Sequence, residues 1–311
     1  MLTELRCDSS NRSELLYQLS QICHNLLSLT ITFCNDIISN VLVDLIFVQK
    51  NLRYVYIYAT CNLSEMISTS LSKLPNTLTN LTVYEGTPLS FITGFTNLQM
   101  LELSFISSDT FEDFKKLQYA IFPQLKILRI PYDCPKYELL INFIEINGKN
   151  LRECYLGYYL GVSDNSLNLA ISKFCPNLQK LSVGFKEVES ETLKIIFNNC
   201  QYLESIHIWC GDFSISFLNE RVALEMVAKY SPKNFCELKL LYQGYLRSRL
   251  SSEELESFFI SWANRSPQKS LSLFATGFYY HENSFDSINN RRIINKYINL
   301  GILKKYQSLS Q

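Results

Sequence analysis

The chain has little of what most enzymes are built from. Of its 311 residues only three are histidines, His24, His207 and His281, and they stand far apart. Its ten glycines are scattered, several of them (Gly157, Gly161, Gly184) in turns just after apolar runs. There is no Gly-rich phosphate loop, no Gly-x-Ser-x-Gly elbow, no His-Glu-x-x-His and no helical carboxylate–histidine pair. Charge of one sign is also missing: 29 basic residues balance 29 acidic ones, for a net charge of +0 and a pI of about 6.8. No overall field exists to draw a nucleic-acid backbone. The longest apolar run, Val41 to Val48, contains Asp44 and is too short for a bilayer. Met1 is not followed by a basic stretch and an apolar core, so nothing at the start points to secretion. Ten cysteines are present without one Cys-x-x-Cys pair, and His24 beside Cys23 has no zinc spacing. The expectation is a chain with no catalytic residue, cofactor or metal, no nucleic-acid partner and no membrane.

What is present is a period. Cys175-Pro-Asn-Leu178-Gln-Lys-Leu181-Ser-Val183 leads through a polar break into a helical stretch ending on Cys200, and Leu203-x-x-Ile206-x-Ile208 then begins again. The same spacing opens the chain at Leu2 and returns at Leu26, Leu52, Leu78, Leu98, Leu125, Leu151, Phe235 and, degenerately, Gln268. Most steps are about 25 residues, the length of a leucine-rich repeat, in which one strand and one helix make each turn of a solenoid. Neither the strand edge nor the apolar helix face can be buried within one unit, so stacking completes the core. The predicted fold is an α/β leucine-rich-repeat solenoid of the ribonuclease-inhibitor-like horseshoe kind. Parallel strands line its concave face and helices its convex face. About 11 repeats over 1–286 lead into a C-terminal capping-helix region, 287–311.

Local chemistry agrees. Leu167, Ala170, Ile171 and Phe174 recur at helical spacing. Ser163 or Asp164, Asp109 with Glu112, and Ser251 with Glu254 read as helix caps. An asparagine precedes the anchor at Asn25, Asn51, Asn97, Asn150 and Asn177, suited to a buried ladder or to plain turn chemistry. Cys23, Cys175 and Cys200 each stand three residues before an anchor and read as buried, reduced thiols of a cytoplasmic or nuclear protein. Four sequons, at Asn11, Asn62, Asn80 and Asn264, read as accidental. From Ser287 onward Arg291, Arg292, Lys296, Lys304 and Lys305 meet no acid, which suits the wet face of a terminal helix whose Ile293, Ile294, Tyr297 and Ile298 face inward.

Alternation along each strand then assigns the concave wall. Residues flanking the middle apolar position face solvent: Glu4 and Arg6, Ser28 and Thr30, Tyr54 and Tyr56, and so on to Glu237 and Lys239. Tyr58, Tyr84 and Trp209 stand two positions further on the same side. Tyr, Trp and Arg dominate the energetic centres of protein interfaces. The candidate partner-binding residues are therefore Tyr54, Tyr56, Tyr84, Glu102, Arg129, Tyr155, His207 and Trp209, and the partner is a protein target.

The Cys-Pro-Asn-Leu-x-x-Leu-x-Val unit at Cys175, with its echoes from Cys23 and Cys200, resembles the cysteine-containing repeat of F-box/leucine-rich-repeat proteins. The ending, Asn290 to Tyr306, is similar to the C-terminal helix of a large fungal group of that family. The resemblance implies substrate recognition for a ubiquitin ligase, with an F-box docking a Skp-type adaptor and cullin. Here the first residues already read as a repeat strand, with no F-box and no capping helix before it. A ubiquitin-ligase arm, or an F-box-less relative of one, is thus one expectation. A stand-alone repeat scaffold or regulator is the other. A GTPase-activating repeat protein is a weaker third, for which Arg129 is the central inner-wall arginine.

Overall fold

The computed structural model describes residues 2–9, 13–34, 39–59, 63–84, 86–105, 108–157, 159, 161–211, 216–242, 250–277, 285 and 287–310. Cys61, His281 and the sequons at Asn11 and Asn62 lie outside them, as does the side chain of Asp109. The chain forms two compact units, Met1–Leu151 and Arg152–Gln311, a division that the repeat spacing does not reveal.

In the first unit six strands lie parallel and in chain order: β1 Glu4–Asp8, β2 Ser28–Phe33, β3 Tyr54–Ala59, β4 Asn80–Tyr84, β5 Met100–Ser104 and β6 Ile127–Ile130. Register pairs each repeat position with itself, Leu5 to Leu29 to Val55 to Leu81 to Leu101 to Leu128. That identity explains why the spacing is legible in sequence. A one-residue slip would turn every apolar side chain onto the wet face. Helices α1 Ser13–Ile22, α2 Asn40–Phe47 and α3 Glu65–Leu71 connect the first four strands, and α4 Tyr137–Asn147 follows β6. The two connections between α3 and α4 are 3-10 helices, Ser90–Gly94 and Ser108–Lys116. The step from Leu78 to Leu98 is the shortest in the chain, and a 3-10 helix rises about 2.0 Å per residue against about 1.5 Å for an α-helix. It crosses the unit with fewer residues. The cap expected at Asp109 and Glu112 falls in the second of these 3-10 helices.

The second unit repeats the plan with β7 Glu153–Leu156, β8 Lys180–Val183, β9 Ser205–Cys210, β10 Glu237–Tyr242, β11 Leu271–Gly277 and β12 Leu303–Ser310. Its helices are α5 Asn165–Phe174, α6 Ser190–Asn199, α7 Glu220–Tyr230, α8 Ser252–Ala263 and α9 Ile288–Asn299. Cys154, Leu181, Ile206 and Leu238 continue the self-registered ladder. Both units are thus α/β solenoids of the leucine-rich-repeat type. The C-terminal segment, expected to be a capping helix, holds α9 and then a further strand, β12, paired in parallel with β11. On α9 Ile294 and Tyr297 are buried and Arg291, Arg292 and Lys296 are exposed, whereas Ile298, expected inside, is 37% exposed.

Anchors form the core. Leu26, Leu29 and Ile31 in the first unit and Leu178, Leu181 and Leu203 in the second are fully buried. Each contributes about 1.5–3 kcal/mol by leaving water. Between turns the polar backbone is closed by side chains placed three residues before an anchor. There Gln49 donates to the Cys23 carbonyl and accepts from the Leu26 amide at 2.9 Å. Cys200 donates its thiol to the Cys175 carbonyl at 3.4 Å, and Arg265 donates to the Pro232 carbonyl at 3.1 Å. Glutamine, cysteine and arginine thus do one job: each gives a donor to the carbonyl at the matching position one repeat earlier. Buried carbonyls need such partners. One residue further upstream, Asn147 closes its turn in a similar way, accepting from the Phe122 amide at 2.7 Å and donating to the Ala120 carbonyl at 2.9 Å.

Other expectations resolve in detail. Asp164, not Ser163, caps α5, accepting from the Leu167 amide at 2.9 Å, while Ser163 donates to Glu189. Ser251 and Glu254 form a full capping box on α8. The anchor asparagines do bridge turns, Asn51 to Asn25 at 2.9 Å, Asn97 to the Asn76 carbonyl and Asn150 to the Pro123 carbonyl, but at the surface and not in a buried ladder. Cys7, Cys23, Cys154, Cys175, Cys200 and Cys210 are buried, while Cys34 is exposed and donates to the Asp8 carboxylate at 2.9 Å. Burial pushes the Cys154 and Cys200 thiols up to about 12 and that of Cys7 up to about 11, so they stay protonated and inert. Among the described residues no helix is long and apolar enough to cross a membrane, and no cluster of metal-ligating side chains occurs.

Candidate binding face

Side chains two apart on a strand share a face, so each strand sends a short column of residues from the sheet away from the helices. In the first unit these columns differ sharply in height. β3 carries Tyr54, Tyr56 and Tyr58, with Tyr54 41% exposed. Beside it β2 carries only Ser28, Thr30 and Thr32, all half-buried. Beyond that β1 carries the exposed Glu4 and Arg6. Small hydroxyls between taller neighbours leave a depression of ≈ 750 Å³ along β2, lined by Glu4, Arg6, Ser28, Thr30, Thr32, Tyr56 and Tyr58.

On the other side of the tyrosine column, Tyr84 of β4 stacks on Tyr58 with ring centroids 4.3 Å apart and planes 17° from parallel. Burial, then the neighbouring Tyr58 hydroxyl, raises the Tyr84 phenol above its ordinary value, so it remains a neutral donor and acceptor. Glu102 and Arg129 face each other across β5 and β6 at 3.7 Å. Burial raises the Glu102 carboxyl, and the guanidinium beside it only partly opposes this. Arg129 therefore lies on the strand face against an acid.

The corresponding face of the second unit is an ionic lattice. Glu153 takes a salt bridge from Lys180 at 3.0 Å and a hydrogen bond from the Tyr155 hydroxyl at 3.2 Å. The Tyr155 ring lies beside His207, centroids 5.8 Å apart, with Ser182 in register between them and fully buried. Ser205 donates to Glu237 at 2.7 Å, and the His207 Nε2 lies 3.8 Å from the same carboxylate oxygen. Burial outweighs that carboxylate and holds His207 below the ordinary histidine value, while His207 and Ser205 hold the Glu237 carboxyl below the ordinary one.

Trp209 is the correction. It sits in the expected column on β9 but is fully buried, packed with Phe217 and Leu241. The Phe217 amide donates to the Gly211 carbonyl at 3.0 Å, and the Phe217 ring lies 6.1 Å from the indole. A Cβ at Gly161 or Gly184 would come within 2.7 Å of the Phe217 ring, so those two glycines clear the space in which the lid residue sits. Alternation assigns a face correctly, but a local segment can cover that face. The only trace in the sequence is the pair of glycines.

The structure thus brings Tyr54, Tyr56, Tyr84, Glu102 and Arg129 onto one face of the first unit, and Tyr155 and His207 onto one face of the second. It removes Trp209 from solvent. Tyr58 and Thr30, placed on the wall by alternation but not among the candidates, and Thr32, which the sequence did not single out, gain importance from relative side-chain height. No family model and no curated protein matches the chain.

Proposed function

We propose that the chain is a protein-binding repeat module that receives its partner on the strand faces of its units. The observation that supports this best is the tyrosine column of β3 with Tyr84 stacked beside it: half-exposed aromatic surface on a rigid sheet, flanked by hydrogen-bonding groups. Tyrosine supplies broad contact area at low entropic cost, and rigid parallel strands hold it ready. Within this reading the finer assignment is the substrate-recognition arm of a Skp–cullin–F-box-type ubiquitin ligase, or an F-box-less relative, and it rests on the repeat resemblance alone. A stand-alone scaffold without ubiquitin is the competing assignment, separated by whether a Skp-type adaptor and cullin co-purify with the protein from its own cells. Arg129, held beside Glu102, lends nothing to the GTPase-activating reading.

The face itself is tested by affinity capture with Tyr56→Ala and Tyr155→Ala, singly and together. Both are half-buried surface positions whose loss leaves the core intact. We expect the helical circular-dichroism signal to persist while capture of the partner falls at least about tenfold, as for interface hot spots. Undiminished capture by the double variant would move the binding site elsewhere.

A further inference from the structure

We infer that the trough along β2 takes a short polypeptide segment in extended conformation, with alternating apolar and charged residues. Its two central charged residues are of opposite sign, facing Glu4 and Arg6. This rests on the protein-binding reading above and names the ligand class for the first unit.

The inference follows from matching repeats. Along a strand, residues on one face recur every ~6.6–6.8 Å, and neighbouring strands lie ~4.8 Å apart. The axes of the two walls, β1 on one side and β3 on the other, are therefore about 9.5 Å apart, two strand spacings. Once the thickness of the wall side chains is taken off, the gap admits one extended backbone, whose side chains reach over the walls. Such a chain presents its side chains alternately left and right with the same ~6.6–6.8 Å repeat, and its N–H and C=O groups along the two remaining edges. Laid along β2, it would point alternate side chains at Tyr56 and Tyr58 and the others at Glu4 and Arg6. One backbone edge would then face the floor. There Ser28, Thr30 and Thr32 stand at the matching repeat, and each hydroxyl can both donate and accept, as an N–H and C=O pair requires.

Charge selects the sequence. Asp8, at the far end of the β1 column, already accepts from Cys34. Glu4 and Arg6 are exposed, two residues apart and of opposite sign. The complementary segment places a base opposite Glu4 and an acid opposite Arg6, with an apolar residue between them against the tyrosine wall.

Three labelled octapeptides test this on the full chain by fluorescence anisotropy. All alternate leucine with charged residues; the central charged pair is Lys and Glu in the first, two Lys in the second and two Glu in the third. The mixed peptide is expected to bind at least about tenfold tighter than either like-charged one. Glu4→Lys should transfer the preference to the two-Glu peptide and Arg6→Glu to the two-Lys peptide. Thr30→Val, which removes one floor hydroxyl at constant volume, should weaken the mixed peptide about fivefold, the effect of one hydrogen bond. Equal affinity for the three peptides, indifference to Thr30→Val, or tighter binding of a proline-rich peptide or an oligosaccharide would overturn the inference. Should the peptides fail while Tyr56→Ala still abolishes capture of the protein partner, the extended-segment reading falls and the binding face stands. If capture is also unaffected, both fall.

Discussion

At the scale of the residue, position and exposure separate. Trp209 obeys strand alternation, yet it is a core residue because Phe217 folds over it and Gly161 and Gly184 leave room beneath. Trp209→Ala should therefore cost about 3–5 kcal/mol of stability, the range for emptying a large buried side chain, and a urea midpoint would show it directly. The same change made at an exposed contact would leave stability nearly untouched. His207 makes a second prediction. An unfolded histidine binds a proton near pH ~6.5, whereas burial holds the folded His207 below that value. The unfolded state then carries more protons as the pH drops, so stability falls from about pH 6.5 downward until His207 itself protonates. Thermal melts at pH 7.5 and 5.5 should show a smaller loss in His207→Gln than in the parent. An equal loss would place the pH dependence on other groups.

At the scale of the element, the repeat strands and helices such as α5 and α8 were readable, and the 3-10 connections and β12 were not. Leu-x-x-Leu-x-Leu marks the strands β1 to β10, and degenerately β11, because identical positions pair in register and a misplaced residue would expose the whole row, whereas β12 lies beyond the last repeat and carries no such mark. The 3-10 helices between β4 and β6 carry no comparable signature, since a single exposed side leaves their composition free. The site three residues before each anchor is a sharper case. Cysteine there was visible three times, but the equivalence of Cys200 to Gln49 and Arg265 appears only when each of these three is seen donating to the preceding turn's carbonyl. Gln49→Leu keeps the bulk and removes the donor, leaving the Leu26 amide and the Cys23 carbonyl buried without this partner. A loss of about 1–3 kcal/mol is expected. Faster amide exchange at Leu26 would locate it; protection unchanged at Leu26 would contradict the role given to Gln49.

At the scale of the whole molecule, the balance of 29 acids and 29 bases, the scarcity of histidine and the 25-residue period were all open to inspection. Together they define a solenoid without catalytic machinery as the expectation, and the folded chain supplies the α/β repeat architecture that the period requires. The strand faces followed from alternation alone, and with them Tyr54, Tyr56, Tyr84, Glu102, Arg129, Tyr155 and His207. The division at Leu151 and Arg152 did not, because the repeat spacing runs through it unchanged. Nor did the contrast between the two faces, a tyrosine-walled trough on β1–β3 and a Glu153–Lys180 and His207–Glu237 lattice on β7–β10. Periodicity is a property of one chain read in order, so it survives in the letters. The cover on Trp209 depends on where the Phe217 ring packs. Relative side-chain height and the pairing of Glu153 with Lys180 and of His207 with Glu237 depend on residues 24 or more positions away. Those are brought together only when the turns stack.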